Sequence, residues 1–380
     1  MYSSWMSEDH RMFQDATRRF YADEMVPNIE RWCDQGAVDR GFWNQAGELG
    51  ILGGAVETQY GGSGLDMGAD IISTLEQSRA GDSSWGWGVH SICIHYLSGL
   101  GTEEQKTKWL PKLCSGEMVC AVGMTEPGTG SDLQAVRTTA IKDRDDYIVN
   151  GTKIFISNGQ QCDLLILVVK TDPSQAAKGL SLLVLETNDL PGFTRGRNLE
   201  KMGMKGQDTS ELFFENVRVP QENLLGGVEG KGFYQLMNQL VWERFMIAIG
   251  ALGAMEFALA ETVKYTSERK AFGQRVLDFQ NTQFVLADVK TKVEVFRAFI
   301  DSCAVKLLAG ELDTATASMA KLYGTERQGE VVDDCLQLFG GYGYMKEYPI
   351  SRAYADARVQ RIYGGTSEVM KLLIARTLEQ

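Results

Sequence analysis

The segment GFYQLMNQLVWERFMIAIGALGAM, residues 232–255, carries only two charges, Glu243 and Arg244, in a run that is apolar on every side at helical spacing. Leu236, Leu240, Glu243 and Ile247 follow one another by steps of 4, 3 and 4, so they share one helical face. A carboxylate on such a stripe loses hydration, which raises its pKa toward neutrality and suits it to general-base work. The other reading is a structural buried ion pair. Adjacent residues on a helix do not face each other, so Glu243 and Arg244 need not neutralise one another.

Four further stretches hold groups that could bind or react. In MTEPGTGSDL, residues 124–133, Gly128 and Gly130 permit a tight turn whose amides face an anion, and Ser131 adds a hydroxyl. A simple reversal of the chain explains the same spacing. SERKAFGQRV, residues 267–276, sets Arg269 and Arg275 beside Phe272, which makes either a clasp for a phosphate and a planar ring or a solvated charge cluster. QLFGGYGYMKEYPISR, residues 337–352, ends a helix in glycines where the chain bends or lets something approach. RIYGGTSEVMKLLIAR, residues 361–376, reads as a loop feeding a last helix. Imidazole chemistry is confined to His10, His90 and His95, the only three histidines; His90 and His95 are five apart, off a common helical face, and read as structural. The seven cysteines are odd in number and lack a CxxC pair, which suits core thiols in a reducing compartment.

The elements that must position these groups follow from periodicity. Residues 1–116 read as helices: Ser7 caps a segment with Phe13, Ala16 and Phe20 at helical spacing, with Pro27 as its stop. From residue 117 the period changes to that of strands. DDYIVNGTKIFIS reads as two alternating runs joined by an Asn150-Gly151 hairpin turn, followed by the strand candidates DLLILVVKT, LSLLVLET and ELFFENVRVP. From residue 229 long helical patterns return over 232–266, 280–310, 313–339 and 367–378, as in a helix bundle. Three domains are therefore expected, 1–116, 117–228 and 229–380. Strands do not alternate with helices, which argues against a Rossmann sheet. The chain has 380 residues, 44% apolar, with a net charge of −12, enough for several cores and unsuited to nucleic-acid binding as its main business. The apolar stretch at 232–255 is interrupted by Gln, Asn, Glu and Arg, so no membrane span is expected. The N-terminal residues show neither a signal nor a transit pattern, and the expected compartment is the cytoplasm.

Taken in order, YGGSGLD, MTEPGTGSDL, NGTKIFISNG, GMKGQDTSELFFENVRVP, SERKAFGQ, QLFGGYGY and YGGTSEVM resemble the acyl-CoA dehydrogenase family of flavoproteins over essentially the whole chain. The resemblance implies an α+β multidomain fold: an all-α N-terminal domain, a central β-barrel and a C-terminal four-helix bundle. It implies FAD as cofactor and oxidation of a fatty acyl-CoA thioester to the trans-2-enoyl-CoA, a carboxylate taking an α proton while a β hydride passes to flavin N5. Many members carry a Glu directly after the loop Tyr; here that position is Gly364. The long-chain and isovaleryl branches hold the base in a Glu-Arg pair on a third-domain helix, which VWERFMIA matches with Glu243.

By the same resemblance the Gly364 N–H meets the thioester oxygen, and Met124, Thr125, Gly130, Ser131, Phe155 and Ser157 line the flavin. Arg269, Phe272, Gln280, Gln337 and Gly341 reach a neighbouring subunit's FAD, with Thr366 and Glu368 at its ADP end. Ser131, Tyr234, Arg244, Tyr363 and Gly364 fall near the acyl-CoA. A homotetramer, a dimer of dimers, and an electron-transferring flavoprotein as acceptor follow. Tyr363, a small residue in isovaleryl-type members, favours a straight chain. Other readings are a dehydrogenase of carrier-protein thioesters, a nitroalkane-oxidase-like flavoprotein, and a non-catalytic acyl-CoA-binding paralogue.

Overall fold

The computed structural model describes residues 3–378. Its helices α1 (Glu8–Phe20), α2 (Ile29–Gln35), α3 (Arg40–Glu48), α4 (Gly68–Arg79), α5 (Trp87–Leu100) and α6 (Glu103–Cys114) come first. Ser7 with His10 and Thr102 with Gln105 form capping boxes that start α1 and α6. Pro27 is not the stop of α1. That helix ends at Phe20 and passes through a π turn into a 3-10 turn holding Pro27, where a missing N–H costs nothing at a first helical turn.

Seven strands follow: β1 (Cys120–Gly123), β2 (Thr139–Asp143), β3 (Asp146–Ser157), β4 (Leu164–Lys170), β5 (Leu180–Glu186), β6 (Phe193–Asn198) and β7 (Thr209–Pro220). They form one mixed sheet in the order β1-β4-β2-β3-β7-β6, with β5 on the other side of β4. β4 and β5 are buried along all but their last residue, as strands covered on both faces must be.

The expected hairpin at Asn150-Gly151 does not form. β3 runs straight through it, and the reversal lies instead at Arg144-Asp145, with Arg144 at φ +58°. The reason is long-range: β3 pairs with β7 on both sides of Gly151, and the Asn-Gly step is spent on a bulge opposite Asn216. Asn150 accepts from the Asn216 N–H at 2.8 Å and donates to its side-chain oxygen at 3.2 Å. A β-carbon at Gly151 would run into Thr138, so glycine is required there for close approach.

The last part holds α7 (Gly232–Glu268), a two-residue ribbon of β8 (Lys270–Ala271) and β9 (Gln274–Arg275), then α8 (Gln280–Leu308), α9 (Thr314–Phe339), α10 (Pro349–Ala357) and α11 (Ser367–Ala375). By length and composition α7 could cross a membrane, yet half of its most apolar stretch is buried in the protein. It serves as the central core helix. One apolar core runs from Phe20, Phe42 and Trp85 through Leu252 and Met255 of α7 to Phe296 and Phe339. The sheet has its own core around Tyr147, Leu165 and Phe214. A third cluster ties α5 and α6 to β4, β5 and Leu236 at the start of α7.

Candidate active site

A cavity of about 270 Å³ opens between α4, α5, the sheet and α7. Glu243, Met246, Ile247 and Gly250 reach it from α7, and Trp87, Gly88 and Ile92 from α5. Met124, Thr125, Phe155 and Ser157 come from the sheet, and Tyr363 and Gly364 from the loop before α11. Seven of the candidate site residues, Glu243, Met124, Thr125, Phe155, Ser157, Tyr363 and Gly364, thus line one cavity. Gly130 and Ser131 sit exposed on the loop after β1, outside its lining.

Glu243 is 7% exposed. Burial pushes its carboxyl up to about 7, against the Tyr96 hydroxyl and the Arg244 charge, which both favour the ionised form. Tyr96, from α5, donates to Glu243 Oε1 at 3.2 Å. Arg244 is not among the residues that line the cavity; it is buried, its Nε lacks a hydrogen-bond partner among the described residues, and burial lowers its pKa against the pull of Glu243. The pair is therefore not a mutually neutralising ion pair.

Gly364 lines the same cavity without a side chain of its own. Gly364 and Gly365 have φ of +62° and +95°, left-handed values that glycine tolerates best. A β-carbon at Gly364 would collide with Ile247 Cδ1. Ile247 stands one turn beyond Glu243, so the same helical face supplies both the carboxylate and the apolar group that closes the space left by glycine.

On the sheet wall, β3 carries an irregularity between Lys153 and Ile156, where Phe155 has φ +60° and is 63% exposed. A non-glycine residue held there is strained, and such strain gathers at working sites. Ile154 N–H donates to Thr125 O at 3.0 Å. The fully buried Lys153 donates to Met124 O at 3.0 Å and to Glu126 Oε1 at 2.9 Å, while Glu126 accepts the N–H groups of Arg137 and Thr138. This buried, hydrogen-bonded pair ties β3 to the Met124 carbonyl and so helps set the main chain at 124–125. Ser157 Oγ donates to Gln207 at 3.4 Å.

A second depression, about 630 Å³, collects Arg269, Gln337 and Gly341 with Tyr265 and Tyr342. Phe272 is 98% exposed at the tip of the β8–β9 ribbon, and Gln280 is exposed at the start of α8. Thr366 caps α11, accepting the Val369 N–H at 3.3 Å; Glu368 lies exposed in its first turn. Tyr234 is 54% exposed in the first turn of α7 and outside the cavity wall. His90 is fully buried, accepts the Cys120 N–H at Nδ1 and contacts Leu113 O through Nε2, and burial lowers it to about 4. His95 is held by Asp70.

Tyr96 and Lys321 escaped the sequence reading. Lys321, from α9, is 1% exposed and donates to the carbonyls of Tyr363 and Gly365 on either side of Gly364. The signal available was a lone cation among Ala317, Ala320 and Gly324, small residues at helical spacing. For Tyr96 no local signal exists; its meaning is the contact itself.

The family models described as acyl-CoA dehydrogenase N-terminal, middle and C-terminal domains match residues 7–117, 121–217 and 230–379. The chain is 46% identical over 375 residues to the mouse (Mus musculus) long-chain specific mitochondrial acyl-CoA dehydrogenase, covering 98% of this chain and 87% of that protein. It is 38% identical to the isovaleryl-CoA dehydrogenase of Pongo abelii, covering 98% and 89%. Among solved structures, an acyl-CoA dehydrogenase from Geobacillus kaustophilus superimposes with a TM-score of 0.96 at 46% identity over 100% of both chains. A glutaryl-CoA dehydrogenase from Mycobacterium smegmatis in complex with FADH2 gives 0.92 at 30% identity, over 98% and 95%. Matches of this extent over the whole length, joined to the helix, sheet, helix order, leave one conclusion: the chain belongs to the acyl-CoA dehydrogenase family and is an enzyme of that kind.

Proposed function

We propose that the protein dehydrogenates straight-chain fatty acyl-CoA thioesters to trans-2-enoyl-CoA, with Glu243 as the base for the α proton. The observation that carries this is a buried carboxylate poised near neutrality on the cavity wall, across from a glycine loop that has no acid of its own. A carboxyl at about 7 accepts a proton well at physiological pH, where an exposed Glu is too weak a base. The Gly364 N–H takes the thioester oxygen, where negative charge develops as the proton leaves. Trp87, Met246 and Ile247 exclude water from the reacting carbons.

FAD is the cofactor in this reading, and the residues fit it. Phe155 offers an open aromatic face, Thr125 and Ser157 offer hydroxyls, and Met124 offers a polarizable edge, the partners that a flat ring edged with heteroatoms needs. Bound FAD supplies the acceptor for the β hydride. Gly130 and Ser131, on the exposed loop after β1, would hold its pyrophosphate, with Ser131 also meeting the thioester. Arg269, Phe272, Gln280, Gln337 and Gly341 present a second surface to the FAD of a neighbouring subunit, with Thr366 and Glu368 at the ADP end. The assembly is a dimer of dimers. Electrons leave through an electron-transferring flavoprotein. Tyr234 borders the CoA side, and Arg244 acts on Glu243 by charge.

A straight chain is favoured because Tyr363, rather than a small residue, lines the cavity. Gly88 and Gly250 leave the helical walls of α5 and α7 low where a chain extends; a β-carbon at Gly88 would sit 3.4 Å from the Met246 sulfur. The test is anaerobic mixing of purified holoenzyme with saturated acyl-CoA of increasing length. Bleaching of the flavin with formation of the 2-enoyl thioester, strongest for unbranched long chains, is expected. An oxidised flavin with every acyl-CoA would overturn the reading.

A further inference from the structure

The peptide unit joining Tyr363 to Gly364 is held from its carbonyl side by a cation. Lys321 Nζ donates to Tyr363 O at 2.7 Å and also to Gly365 O. The Tyr363 carbonyl and the Gly364 N–H belong to one planar group and point in opposite directions. Fixing the oxygen therefore aims the N–H away from Lys321, and Gly364 lines the cavity. Without such a clamp, two successive left-handed glycines would leave the loop free to turn that N–H elsewhere.

The energetic position of Lys321 is unusual. Its ammonium is almost wholly buried and forms no ion pair among the described residues. Burial and the nearby Arg244 charge lower its pKa to about 8, against the pull of the Glu326 carboxylate. A buried cation that spends its protons on two loop carbonyls costs stability that an apolar residue in the same helix would not cost. Its return is polarisation: a charged donor on a carbonyl oxygen draws electrons through the peptide and strengthens the N–H at the other end.

We propose that Lys321 is a positioning residue for the reaction, aiming and polarising the Gly364 N–H that binds the thioester oxygen. This rests on the reading that Gly364 N–H is that donor. Lys321 touches neither substrate nor reacting atoms; it acts through the peptide.

The test separates the two claims. Holoenzyme bearing Glu243→Gln, in which the thioester persists, is loaded with acyl-CoA labelled with ¹³C at the carbonyl, and infrared difference spectra isolate that stretch. Binding is expected to shift the stretch to lower frequency. In the Glu243→Gln/Lys321→Met double variant the downshift shrinks while acyl-CoA still binds. With Glu243 intact, Lys321→Met slows flavin reduction by ~100-fold, the scale of losing one oxyanion donor. Should Lys321→Met not retain flavin, Lys321→Gln, shorter and uncharged, gives the same loss of downshift. An undiminished downshift in the Lys321 variants overturns the inference alone. No downshift in the Glu243→Gln parent overturns the reading of Gly364 on which it rests.

Discussion

The burial of Glu243 was legible in the sequence because the carboxylate lies on an apolar helical stripe, while its role as base came only from the family resemblance. Its environment makes two predictions. Its pKa rises from the usual 4.5 to about 7, so the ionised form is disfavoured in the folded protein by roughly 3 kcal/mol. An acid with a raised folded pKa binds more protons folded than unfolded, so this penalty is absent below about 4.5, grows as pH rises, and is complete above about 7. Glu243→Gln, measured without substrate, is therefore expected to melt at higher temperature than the parent at pH 8, with the gap closing toward pH 5. Tyr96 favours the ionised form, so Tyr96→Phe is expected to move the acid limb of flavin reduction, centred near 7, upward by as much as about one pH unit. A stopped-flow pH profile checks this. Tyr96 and Lys321 could not be assigned from sequence, since each matters only through one contact with a residue far along the chain.

At the scale of elements, the extents of the long helices were readable from their period, whereas α1 ends at Phe20, short of the expected stop at Pro27. α7, α8 and α9 lie within a few residues of the expected spans. The strand region was misread at one place. Asn150-Gly151 has the strongest local turn preference in the chain, yet the ladder between β3 and β7 overrides it and turns it into a bulge. Gly151→Ala, which pushes a β-carbon into Thr138 at φ +153°, is expected to destabilise the fold by ~2 kcal/mol or more, read by denaturant unfolding. At the loop before α11, Gly364→Ala meets both Ile247 and an unfavourable φ. It is expected to slow flavin reduction, and Ile247→Ala in the same protein relieves the collision but not the backbone cost, so rescue is partial.

For the whole molecule, the shared core of the N- and C-terminal helices explains how distant segments meet at one cavity: α7 threads between α4 and α5 on one side and α8 and α9 on the other. Separation of the expected ligand residues into a cavity and an outer depression was not readable from order along the chain. Phe272 stands bare at the tip of the ribbon that follows Arg269, and the proposed assembly would cover it. On the proposed dimer of dimers, the parent is expected to have the mass of a tetramer by light scattering, and Phe272→Asp to lower that mass and weaken flavin retention. An unchanged mass would count against assembly through this face.

The most direct test of the account mixes substrate-free oxidised Glu243→Gln holoenzyme with a saturated long-chain acyl-CoA under anaerobic conditions and follows flavin absorbance. The predicted result is an enzyme that retains flavin, binds the thioester and stays yellow, while the parent bleaches. Bleaching of the variant at the parent's rate would contradict the placement of the base.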